Sequence, residues 1–175
     1  VFMKHREIFG EARWLSPRKS LDAALFRSEI EIKNNIHKAE ITVCGLGWFI
    51  LYINGKRVGT DEFVPAYSDY HERPNMNLVY PLNDEQTHRI YVMKYDVAKY
   101  LHAGKNILGV AVGGGYYHQT VRKAEGNMNY GEIKLCYRLD VDGESFYSNR
   151  KDVVYSPGFF KSSNLFFGET LDFTG

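Results

Sequence analysis

Long apolar runs are missing from this 175-residue chain. No stretch reaches the roughly 18 residues that a transmembrane helix needs, so helical membrane insertion is not expected. An excess of one charge is missing too: 22 Lys+Arg stand against 21 Asp+Glu, and the net charge is +1. That balance gives no electrostatic case for nucleic acid or an anionic membrane as partner. Cysteine is scarce. Cys44 and Cys136 are the two, and neither sits in a CxxC pair, which removes zinc-ribbon and dithiol redox motifs. Both fall in segments that read as strands, so buried free thiols are expected. A bridge between them would require those strands to be neighbours. None of the 6 His forms an HExxH or other paired spacing, so no transition-metal site is expected. The opening VFMKHREIFGEARW is charged throughout and lacks the apolar segment of a signal peptide. Secretion stays open, because a leader can precede it.

The chain is rich in aromatic residues and glycine, with 13 Tyr, 11 Phe and 16 Gly. Rings favour strands, and flat ring faces suit stacking on sugars, although most rings in a domain of this size fill its core. A hydrophobic fraction of 44% beside 25% charged residues fits a folded domain with a sizeable interior.

Alternation then marks the strands. Phe26, Ser28, Ile30 and Ile32 alternate with Arg27, Glu29, Glu31 and Lys33, the pattern of a half-buried strand. Ala39, Ile41 and Val43 alternate with Glu40, Thr42 and Cys44 in a second. Gly45 and Gly47 predict a bulge or bend before a strand over 49–53. Asn54-Gly55 follows, a hairpin turn whose two positions both need positive φ. Residues 59–77 read as a long irregular loop, 81–86 as turn-rich, and 90–93 as a strand. A helical turn is expected over 96–102, with Asp96 as N-cap, Val97, Tyr100 and Leu101 on one face, and Gly104 closing it. Residues 107–112 are apolar enough for a central strand covered on both faces. Ile133, Leu135, Tyr137, Leu139 and Val141 alternate with polar residues up to a second hairpin at Asp142-Gly143. Pro157-Gly158 marks a turn, and 165–167 a short last strand. About eight to ten strands with one short helix make an all-β sandwich or jelly roll. No repeat or linker divides residues 1–175, so one domain is expected.

Five motifs, in order, add a family resemblance. They are Ile53-Asn54-Gly55-Lys56-Arg57-Val58-Gly59; PAYSDYHER over 65–73; Tyr95-Asp96-Val97 with Gly104-Lys105-Asn106; Gly113-Gly114-Gly115-Tyr116-Tyr117; and Gly168-Glu169-Thr170-Leu171-Asp172. Together they resemble the N-terminal β-sandwich domain of bacterial α-L-rhamnosidases, which are glycoside hydrolases. The departures are a stretch over 75–89 that reads as an insertion, Tyr116 where a Trp is usual, and no basic residue after Asp172. The resemblance implies a galactose-binding-domain-like β-sandwich. It also implies that the catalytic carboxylates lie in a separate α/α barrel of a longer parent, too large for this chain. A periplasmic or secreted location is implied in the same way.

The residues themselves offer modest chemistry. Glycoside hydrolysis needs two flanking carboxyls, and Glu132, Glu169 and Asp172 are too scattered along the chain to select a pair. No catalytic residue is therefore assigned. The triple glycine is no phosphate loop, because no Lys-Ser/Thr follows it. It instead presents Tyr116 and Tyr117 as sugar-stacking candidates. Asp69, Tyr70 and Arg73 join them on the 65–73 loop as carbohydrate-binding candidates. Calcium is the one cofactor the loops allow, with Asp61, Glu62 and Asp69 as oxygen ligands; Asn54 and Asp96 have structural explanations in turn geometry and capping. The leading expectation is a non-catalytic accessory domain that packs on the catalytic domain of the same parent chain. The alternatives are a carbohydrate-binding module for rhamnose or galactose-type sugars, and a free-standing structural or interaction sandwich.

Overall fold

The computed structural model of the chain describes residues 4–68, 70, 89–119 and 129–174. Its elements are α1 (His5–Phe9), β1 (Ala23–Ile32), β2 (Ala39–Leu46), β3 (Trp48–Ile53), β4 (Lys56–Arg57) and β5 (Met93–Asp96). A 3-10 turn (Ala98–Tyr100) then leads to β6 (Gly104–Gly113), β7 (Lys134–Val141), β8 (Glu144–Tyr147), β9 (Val153–Ser156), β10 (Phe160–Asn164) and β11 (Gly168–Leu171). One sheet runs β4-β3-β6-β1-β9 and a second β5-β2-β7-β8, every pairing antiparallel. The β10–β11 hairpin is a sheet of its own.

The two large sheets face each other because period-two alternation gives each an apolar face. On β1, Phe26, Ser28, Ile30 and Ile32 are buried while Arg27, Glu29 and Glu31 are exposed. Phe26 lies opposite Val110 of β6. These side chains join Leu51, Ile53 and Leu108 against Ile41, Val43, Leu139 and Val141 of the second sheet. Each large apolar side chain so buried contributes about 1.5–3 kcal/mol. One polar contact crosses this interior: the hydroxyls of Ser28 and Tyr137 are 2.9 Å apart, and both residues are buried. Burial pushes the Tyr137 phenol up to about 12.

Several local expectations shift. Thr42 is buried although it alternates with the core residues of β2, and Cys44 is buried as expected, under α1 and a ring of tyrosines that cover the outer face of β2 and β7. Cys44 and Cys136 lie directly opposite one another in that face, as free thiols. The strand expected at 90–93 begins at Met93 instead. The helical turn near Asp96 is a single 3-10 turn, with the Asp96 carboxylate accepting the Ala98 N–H at 3.1 Å. The α-helix is α1, which the alternation analysis passed over; its Phe9 is buried under the β7–β8 side of the sandwich. Strand β6 is central but alternates buried and half-buried residues rather than being buried on both faces. Residues 165–167 form the turn of the last hairpin, not a strand.

Candidate functional site

Two of the sequence motifs lock together first. Asn54 and Gly55 take φ of 51° and 77°, the double left-handed turn that their hairpin requires. The Asn54 amide then reaches sideways: Nδ2 donates to the Tyr100 carbonyl (2.9 Å) and to Asn106 Oδ1 (2.8 Å), while Oδ1 accepts the Ile107 N–H (2.8 Å). Asn106 is buried, accepts the His102 N–H (3.0 Å) and donates to the carbonyls of His102 (2.7 Å) and Gly104 (2.9 Å). These two asparagines pin the hairpin to the entry of β6. Their work is internal, and neither presents a free polar group to a ligand.

The glycine-rich loop is shaped by close backbone approach. A Cβ on Gly47 would lie 2.0 Å from the Gly114 carbonyl oxygen, and one on Gly114 would lie 2.4 Å from that of His118. Only hydrogen fits at either position. The loop therefore folds flat against the β2–β3 junction. It leaves Tyr116 partly exposed and turns Tyr117 inward, where it is buried.

Rings then make contact in series. Trp48 lies 4.7 Å from Phe63, tilted at 60°, and meets Tyr116 edge to face at 5.6 Å. Tyr116 meets Tyr67 at 5.5 Å, Tyr67 meets Tyr70 at 5.6 Å, and Tyr70 meets Tyr117 at 5.1 Å and Tyr130 at 5.2 Å. Edge-to-face pairs at these spacings contribute about 0.5–1.5 kcal/mol beyond area burial. The three tyrosines singled out from the sequence thus sit on one aromatic ladder. Tyr117 is an inner rung, as is Tyr70, whose phenol burial pushes up in pKa. The solvent end belongs to Tyr116, Tyr67, Phe63 and Trp48. Trp48 and Phe63 were not anticipated, since Trp48 opens a core strand and Phe63 is a lone ring in a loop.

That outer end borders a cleft of about 680 Å³ between the outer face of β3 and β6 and the β10–β11 hairpin. Trp48, Phe63 and Tyr116 line one side, and Leu165, Ser163 and Glu169 the other. Phe63 is held at φ 56°, a left-handed conformation that an aromatic residue rarely adopts, and its ring is 69% exposed. Holding it there costs about 1–2 kcal/mol per residue, so the surrounding contacts fix it against local preference. Glu62, also at the rim, pairs with Arg57 at 2.8 Å, and Glu169 accepts a hydrogen bond from Ser163 at 3.0 Å. The cleft therefore combines ring faces with oxygen acceptors.

Of the other residues singled out, Asp69 and Arg73 lie outside the described residues, as does the 75–89 stretch except for Arg89. Asp61 and Glu62 both engage Arg57, Asp61 through its carbonyl at 2.8 Å. Among the described residues no group of three or more His, Cys, Asp or Glu is placed to hold a metal ion. Among them, no helix is long and apolar enough to cross a membrane.

Comparison with known proteins agrees with this architecture. An α-L-rhamnosidase of Formosa agariphila is 27% identical over 161 residues, which is 86% of this chain and 15% of that protein. The crystal structure of the native α-L-rhamnosidase from Aspergillus terreus matches with a TM-score of 0.78 at 25% identity, over 97% of this chain and 19% of that one. That of the Streptomyces avermitilis α-L-rhamnosidase complexed with L-rhamnose matches with a TM-score of 0.71 at 28% identity, over 87% of this chain and 14% of that one. The chain spans less than a fifth of the length of each of these relatives. Residues 34–175 match the family model of the α-L-rhamnosidase N-terminal domain, and the chain belongs to that family.

Proposed function

We propose that residues 1–175 form one accessory domain, itself non-catalytic, of a parent glycoside hydrolase of the α-L-rhamnosidase type. It packs on the catalytic domain of the same polypeptide. The observation that carries this reading is the family match over 34–175 in a chain that spans only 15% of a full-length relative. Two of the three acidic residues weighed for catalysis support it: Glu169 accepts from Ser163 on the last hairpin, and Asp172, just past its end, pairs with Lys161 at 2.8 Å. Lys161 holds the Asp172 carboxyl down to about 2, too acidic for a proton donor near neutrality. The test is excision of this domain from the parent. The catalytic carboxylates should remain, with thermal stability falling and rhamnoside hydrolysis persisting at reduced rate. Hydrolysis by the isolated domain would refute the reading.

One observation favours a second role beside it. The cleft at Trp48, Phe63 and Tyr116 offers ring faces for a sugar and carboxylate oxygens for its hydroxyls. On this reading a sugar would stack at the outer end of the ladder, where Tyr116 is exposed and Tyr117 is not. Calorimetric titration of the domain with L-rhamnose and with galactose, with and without calcium, checks it. Saturable binding should disappear in Trp48→Ala and Tyr116→Ala, while Asp69→Ala tests the 65–73 loop. Absence of heat for either sugar would remove the role.

A further inference from the structure

The last hairpin is an anomaly within an otherwise well-covered sandwich. Strands β10 and β11 pair only with each other, and all four residues of β11 are exposed. A lone two-stranded hairpin is marginal in water. This one nonetheless carries large apolar side chains outward: Phe167 is 71% exposed, Phe173 73% and Leu171 41%. Phe159 stacks on Phe173 at 5.2 Å and 29°, and the Asp172 N–H donates to the Phe159 carbonyl at 2.7 Å. Strand β9, which leads into this hairpin, is the edge of the larger sheet, and its Val154 is 60% exposed. Lys161 and Asp172 pair with each other, and Glu169, bonded by Ser163, lines the cleft beside it. The result is a largely apolar face, the character of an interface core.

We infer that this face, from Val154 through Phe159 and Phe167 to Phe173, is the docking surface for the domain that follows in the same polypeptide. The inference rests on the accessory reading above and gives it a location. Two observations choose this occupant. The matched relatives are single chains of which this region is 12–19%, so most of such a polypeptide lies outside it. Phe173 also sits where the chain leaves the hairpin, so a domain joined there is held beside the patch at high effective concentration. An apolar, weakly charged facing surface is the chemistry that fits.

Hydroxyl-radical footprinting of the full-length parent tests this. Phe159, Phe167 and Phe173 should oxidise at least about fivefold more slowly than Phe63 and Tyr67, as interface cores exclude solvent. Phe159→Asp combined with Phe173→Asp should bring Phe167 back to the rate of Phe63. If the hairpin rings react as fast as Phe63 while Trp48 and Tyr116 are protected, the location is wrong and the accessory reading survives. Should every exposed ring of the domain react freely, both fall. Protection that disappears on dilution of the parent would make a second copy the occupant and overturn the inference.

Discussion

At the scale of single residues, the polar side chains of this domain do more to specify geometry than to present chemistry. Asn54 serves both as a left-handed turn residue and as a three-bond clamp, twice on β6 and once on the 3-10 turn before it. The two roles separate by substitution. Asn54→Gly keeps the turn and loses the clamp, and should cost about 2 kcal/mol in chemical denaturation, because it leaves an N–H and a carbonyl without their partner. Asn54→Ala loses both and should cost about 1 kcal/mol more. Equal stability of wild type and Asn54→Gly would show that the clamp contributes nothing. Tyr137→Phe is the corresponding test in the sandwich interior. It strands the Ser28 hydroxyl and should cost about 1–2 kcal/mol, read as a shift of the urea midpoint with an unchanged slope.

At the scale of elements, the close approach of the β2–β3 junction to the glycine-rich loop is the tightest constraint. Gly47→Ala should destabilise by about 3 kcal/mol or more, because its Cβ would meet backbone that cannot move aside. Expression at wild-type yield with an unchanged melting temperature would contradict that. The elements that were legible in the sequence are those whose side chains alternate into one core: β1, β3, β7 and both Asn/Asp-Gly hairpins. Those that were not legible depend on what lies across from them. Thr42 reads as outward because nothing local announces that the outer face of β2 will be covered. Helix α1 itself is too short to show a period. Residues 165–167 look like a strand because Leu165, Phe166 and Phe167 are apolar, yet they form a turn in which Phe167 alone is exposed. The candidate site was half legible. Tyr116 stood out through its glycines, whereas Trp48 and Phe63 become neighbours only when strand and loop are folded together.

At the scale of the whole molecule, stability should be flat across neutral pH and fall at both ends. Asp142 accepts the backbone N–H groups of His37 and Lys38 at 2.9 and 2.8 Å, and these hold its carboxyl below the usual range. The Lys105 ammonium and the Arg27 guanidinium do the same for Glu29. A depressed folded pKa contributes stability that is present above the unfolded value near 4 and is lost as pH falls through the folded one. Tyr137 works in the opposite direction. Its raised pKa contributes stability present below the unfolded value near 10, and lost as pH rises toward about 12. The melting temperature should therefore hold a plateau between roughly pH 5 and 9. Asp142→Asn should make the acid limb shallower, the rest staying with Glu29 and Asp172, and Tyr137→Phe should do the same for the alkaline limb, the rest staying with Cys44 and Cys136. A melting temperature that peaks sharply within the plateau would contradict this assignment.

The opposed cysteines of β2 and β7 give the molecule a reporter it was not engineered to carry. Burial holds the Cys136 thiol up to about 12 and raises that of Cys44 as well, so neither is a thiolate near neutrality. Alkylation in the native state then has to wait for the cover of α1 and tyrosine rings to lift. Because the two face each other in one register, an opening that frees one frees both. Mass spectra of a timed iodoacetamide pulse should show molecules with no label or two, and hardly any with one. The rate at which the doubly labelled peak grows would serve as a clock for the lifting of that outer cover.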